Sequence, residues 1–103
     1  MTNQMTRTIQ DLRNEFDGHV YLKFNTQNEY DEFLRAAEAE GFKFGDRMPT
    51  ENIGKPWDII SVLDGKKLAF CGAVSHMAYA SGAENVHRVD YNKYVSGDEV
   101  YII

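Results

Sequence analysis

The stretch from His19 to Gly41 leaves this chain little freedom of fold. Val20, Leu22 and Phe24 alternate with Tyr21, Lys23 and Asn25, the two-residue period of a strand with one buried face. Thr26 then stands three residues before Glu29, the spacing at which each side chain satisfies an orphan backbone donor at a helix start. Tyr30, Phe33, Leu34 and Ala37 recur at helical spacing, Asp31 and Arg35 are placed to form an i,i+4 pair, and Gly41 can take the left-handed cap. An alternating strand that runs at once into a capped amphipathic helix predicts an α+β domain.

The flanking segments extend this plan. Ile9, Leu12 and Phe16 predict a short amphipathic helix over 8–16, ended by Gly18. Phe42 and Phe44 alternate with Lys43 and Gly45, predicting a second short strand after the long helix. Residues 46–56 hold two prolines and Gly54 and read as an irregular surface loop. Residues 57–63 and 66–71 flank Asp64-Gly65, a two-residue hairpin turn. A helical turn or two over 73–80, a loop over 81–85 and a strand over 86–91 follow. The Ser96-Gly97-Asp98 turn precedes an apolar end, Val100, Ile102 and Ile103, that is expected to dock or pair. The sum is a small, mainly antiparallel sheet of about four or five strands with one long amphipathic helix packed across a face. The β-α-β step from Val20 to Phe44 allows a parallel pair, hence a mixed sheet.

With 103 residues, 43 % of them hydrophobic, the chain can bury one core, so residues 1–103 are expected to form a single domain. The lone Cys71 excludes an intrachain disulfide and a multi-cysteine zinc site, and fits a reducing cytoplasm. The first 16 residues lack the apolar run of a signal peptide or membrane span.

The net charge is −5 and is unevenly spread: residues 26–46 carry six acids against two bases. That balance opposes direct nucleic-acid binding, whose affinity comes largely from lysines and arginines neutralising phosphates. The six acids, Glu29, Asp31, Glu32, Glu38, Glu40 and Asp46, are the first candidate surface. In the ordinary case they form a solvated helix side. In the sharper one they occupy a groove built for phosphates, because basic side chains there respond to field and spacing.

A second cluster, Arg47, Lys55, Trp57, His87 and Arg88 with Tyr79, Tyr91 and Tyr94 nearby, supplies rings to stack on a base and cations to meet a phosphate. Core packing accounts for most of these tyrosines equally well. Cys71 with His76 or His87 has the chemistry of a nucleophile and base, but Cys71 lies in an apolar strand where a free cysteine acts as a small core residue. His19, His76 and His87 have no metal-ligand spacing, and no phosphate-cradling glycine loop exists, so neither metal nor cofactor is expected.

The run VYLKFNTQNEYDEFLRAAEAEGFKFGDRMPT, residues 20–50, resembles small proteins encoded by phages and prophages of low-GC Gram-positive bacteria. In those a strand leads into a helix with an E-Y-x-x-F-like core, then G-F-x-W or G-F-x-F. Here the segments are Glu29 to Phe33 and Gly41 to Phe44, with Phe44 where many carry Trp. The resemblance covers under a third of the chain and leaves residues 70–103 unmatched. It implies a phage-type accessory protein, a class that includes inhibitors of CRISPR nucleases and sponges for immune nucleotide signals. The leading expectation is a non-enzymatic inhibitor in the cytoplasm of the bacterial host, binding a defence protein such as a CRISPR nuclease through the acidic helix. The alternative is a small oligomeric nucleotide-binding module.

Overall fold

A computed structural model describes residues 7–54, 58–70, 77, 80–81 and 85–103. The class is α+β: a four-stranded mixed sheet accompanied by helices. In chain order the elements are α1 (Ile9–Glu15), β1 (His19–Lys23), α2 (Gln27–Ala39), a 3-10 turn (Pro49–Asn52), β2 (Ile59–Leu63), β3 (Lys67–Phe70), β4 (Val86–Asp90) and α3 (Tyr91–Val95). The sheet order is β3-β2-β1-β4. Two of its three pairings are antiparallel and the third, β1 with β4, is parallel.

The helix starts follow from local chemistry. Thr26 Oγ1 accepts the Glu29 N–H at 3.1 Å, while Glu29 Oε1 accepts the Asn25 N–H at 3.3 Å, so the carboxylate reaches one residue beyond the expected capping-box donor. Thr8 caps α1 in the same way, accepting the Asp11 N–H at 3.0 Å. At the far end of α2, Gly41 takes φ +90° and the Phe42 N–H returns to the Ala37 carbonyl at 2.9 Å. That closes the helix as its glycine predicted.

Tyr30, Phe33, Leu34 and Ala37 of α2 are fully buried and join Val20, Leu22, Phe24, Ile60, Val62, Leu68 and Val89 in one apolar cluster. Phe24 is its hub, with ring centroids 5.4 Å from Tyr30, 5.1 Å from Phe33 and 5.4 Å from Tyr91. Each such side chain removed from water stabilises the fold by about 1.5–3 kcal/mol before entropy is counted.

Several expectations need correction. Phe42 to Gly45 is not a strand: Lys43 bridges Lys67 and Phe44 bridges Arg47, because Gly45, at φ +61°, turns the chain before more residues can pair. The parallel pair therefore does not come from the Val20 to Phe44 step but from β1 and β4, far apart in sequence. The hairpin turn spans Asp64, Gly65 and Lys66, with Lys66 itself at φ +58°, one residue longer than Asp64-Gly65 alone provides. Asp31 and Arg35 do not pair; Asp31 accepts from Gln27 Nε2 at 2.9 Å instead. The strand over 86–91 stops at Asp90, whose carboxylate caps α3 by accepting the Lys93 N–H at 3.1 Å. Of the stretch 73–80, Met77 and Ala80 are helical and the remainder lies outside the described residues, as does Cys71.

The apolar end does pair. Ile102 bridges Val89 on the outer edge of β4. Arg7 is clasped there: its guanidinium lies 5.3 and 5.1 Å from the Tyr94 and Tyr101 ring centroids and donates to the Tyr94 and Asp98 carbonyls. Tyr94 Oη donates to the Thr8 carbonyl at 2.7 Å.

Candidate functional site

With 3.6 residues per turn, the acids of α2 do not form one row. Asn28, Glu32, Arg35 and Ala39 make the outward ridge, and all four are exposed. Gln27, Asp31 and Glu38 fall on one flank, Glu29, Ala36 and Glu40 on the other, and all six are half-buried. Asp46 stands exposed beyond the helix. The candidate acids thus divide over three sides of the helix, with Asp46 apart from all of them, and Arg35 shares the ridge with Glu32.

On the first flank Glu38 ties the helix to the 3-10 turn, accepting from both Oγ1 and the N–H of Thr50. On the second flank Glu40 reaches across to α1. Its two oxygens accept the Ile9 N–H at 2.9 Å and the Gln10 N–H at 3.1 Å, a charge-assisted cap on orphan donors of another helix.

The second flank also gathers acids that sequence spacing did not single out. Tyr91 is held neutral well above its ordinary range, first by burial, then by the fields of Glu40 and Glu32. Tyr94 is raised by burial, then by Asp11, with Glu15 adding to the shift and Arg7 opposing it. Tyr101 is raised by burial and by its hydrogen bond to Glu15, at 2.9 Å. Glu32 and Glu40 therefore lie within electrostatic reach of Tyr91, and Asp11 and Glu15 of α1 within reach of Tyr94, so acids from both helices surround the α3 tyrosines. Only the α1 periodicity, which turns Ile9 and Leu12 inward and Asp11 and Glu15 out, hinted at this.

What holds these carboxylates matters for their charge. Glu29 accepts from Asn25 and Thr26, Glu32 from Asn28, and Glu40 from two backbone amides. All are neutral donors, so they fix position without cancelling charge. Among the described residues the one ion pair is elsewhere: Arg13 Nε lies 3.5 Å from Asp64 Oδ1. Arg13 is buried and donates to the Val62 and Phe16 carbonyls, bolting α1 to β2 beside a cleft of about 520 Å³ that Asn14, Asp17 and His19 also line.

The described members of the nucleotide cluster are not brought together. Arg47 sits beside Phe44 at the β3 edge, whereas His87 and Arg88 lie on β4 at the opposite edge. Those two neighbours point to opposite faces of their strand. His87 is occupied: its ring stacks on Phe16 at 4.6 Å and its Nε2 donates to the Asp17 carbonyl at 2.8 Å. Lys55, Trp57, His76 and Tyr79 lie outside the described residues. Among the described residues no group of three or more His, Cys, Asp or Glu side chains can hold a metal ion, and no helix is long and apolar enough to cross a membrane. Comparison with known protein families, curated proteins and solved structures finds no match.

Proposed function

We propose that this chain is a non-catalytic binding protein whose acidic side, where α2 meets α1 and α3, occupies a basic surface of a protein partner. In the setting implied by the phage resemblance, the partner is a bacterial defence protein with a groove for nucleic-acid phosphates, inhibited one-to-one in the host cytoplasm. The reading takes α2 as a rigid support, its apolar stripe against the sheet and its polar sides outward.

One observation carries it: Glu29, Glu32 and Glu40 are positioned by neutral donors rather than by basic side chains, and Glu32 and Glu40 surround the α3 tyrosines together with Asp11 and Glu15. Preorganised charge steers a basic partner without the cost of ordering side chains on contact. The test uses Glu32→Lys with Asp11→Asn, because neither side chain makes a bond between elements. Capture of bacterial proteins by the wild-type chain and by the double variant is compared by mass spectrometry, and affinity for the captured protein is then measured. The double variant should bind at least about tenfold more weakly, with a shallower salt dependence. Equal capture and affinity would remove the proposal.

A further inference from the structure

The end of the chain gives the sheet an additional edge. Across the Val89 to Ile102 bridge, the Asp90 N–H donates to the Tyr101 carbonyl at 2.8 Å and the Ile103 N–H to the Arg88 carbonyl at 2.9 Å. Backbone groups alternate in direction along an extended segment. With the Tyr101 carbonyl and the Ile103 amide turned to β4, the N–H and C=O of Ile102 point away from the sheet. Among the described residues neither has a partner. The side chains there are apolar and open, Val100 at 70 %, Ile102 at 47 % and Ile103 at 52 % exposure. Carboxylates outnumber bases around them: Asp98 and Glu99 are exposed and Glu15 takes the Tyr101 hydroxyl, against the Arg7 guanidinium that lies over the Tyr101 ring.

We infer that residues 101–103 are a docking edge for an extended segment of the partner in which apolar residues alternate with lysines or arginines. An outward N–H and C=O on one residue are met together by another backbone in register, the geometry of strand addition. Apolar side chains call for apolar neighbours, and the flanking acids call for bases. The inference rests on the proposed acidic-side reading for the charge of the partner. A second copy of this chain is the poorer occupant, because it brings Asp98 and Glu99 of both molecules to one edge, each molecule carrying −5. Edge strands are often guarded by charge against such self-pairing.

The experiment uses the full chain and a synthetic peptide of alternating lysine and valine, with its backbone N-methylated counterpart as control. Ile102→Pro removes the outward N–H alone, since both bonds to β4 come from the neighbouring residues. The wild-type chain should bind the peptide, slow hydrogen exchange at the Ile102 amide and ignore the methylated control. Ile102→Pro should weaken binding at least about tenfold with an unchanged melting temperature. Should the proline disturb folding, Ile102→Lys keeps the backbone donor and must weaken the same peptide by charge. Equal binding of both peptides, or undiminished binding by a folded variant at position 102, overturns the inference. So does a wild-type dimer in sedimentation that either variant abolishes. Capture of the bacterial partner separates the two readings. Its loss in the Glu32 and Asp11 double variant with retention in Ile102→Pro removes the edge and leaves the acidic side standing; the reverse pattern removes the acidic side.

Discussion

The two flanks of α2 carry the same kind of residue and put it to different uses. Towards the 3-10 turn, Glu38 is a local staple that holds the loop through Thr50. Towards α1, Glu40 joins two helices that are distant in sequence, and its charge also reaches Tyr91. A carboxylate on a helix flank is thus neither simply a solvated group nor simply a binding group. Its role is set by which orphan donors lie within reach; Glu32 on the ridge, like Asp31 on the first flank, is bonded only within its own helix.

The sharpest way to break that contrast is Glu40→Ala. It strips the amides of Ile9 and Gln10 of a charged acceptor at a half-buried position, and should cost about 2 kcal/mol in urea unfolding. A loss below about 0.5 kcal/mol, the scatter of ordinary surface changes, would mean that the link to α1 is not structural. Glu40→Gln should also lower the alkaline titration of Tyr91, since a carboxylate field that opposes tyrosinate is removed, whereas Glu38→Gln should leave it in place.

The tyrosines extend the comparison to pH. Tyr30 is pushed up to about 12 by burial, with Asp31 adding to it, and Tyr91, Tyr94 and Tyr101 shift the same way. In the unfolded chain these hydroxyls ionise near 10. Above that pH the unfolded state binds fewer protons than the folded one, so stability falls as pH rises. It should be fully present below pH 10 and decline through 12, in step with tyrosinate absorbance. A flat urea midpoint over that window would contradict the burial of these rings.

Glu38→Ala is the smaller counterpart of Glu40→Ala. Thr50 stays near water and can replace the lost acceptor, so the expected cost is about 1 kcal/mol. Near-equal losses for Glu38→Ala and Glu40→Ala would erase the distinction between the flanks.

How much of this was legible in the sequence follows from the range of the interactions. The strand at His19, the Thr26 cap, the Gly41 exit and the hairpin rest on neighbours within a few residues, so periodicity and turn chemistry revealed them. The parallel pairing of β1 with β4 could not be read locally, because it depends on a contact such as Tyr21 opposite Arg88 that no spacing records. α3 was hidden by its length, five residues with Asp90 as its local mark. The split of the acids over three sides of α2 was available from the 3.6-residue period. That Glu40 would find the start of α1, and that Asp11 and Glu15 would join it around Tyr91 and Tyr94, required the fold.

The smallest expected effect on stability decides the most about function. Glu32 lies on the exposed ridge, and its single contact is a hydrogen bond of 3.4 Å from Asn28 on its own helix. Glu32→Lys should therefore change unfolding by no more than about 0.5 kcal/mol. The new lysine stands three residues before Arg35, so a small loss from like-charge repulsion is the expected sign. Tyr91 feels Glu32 through space, so its titration should fall slightly in the same variant, reporting the field without any change in fold. If the protein stays folded, Tyr91 responds and partner affinity drops, the acid acts through its charge. If stability drops instead, Glu32 belongs with Glu38 and Glu40 as a structural tie, and the outward ridge of α2 offers no carboxylate to meet a partner.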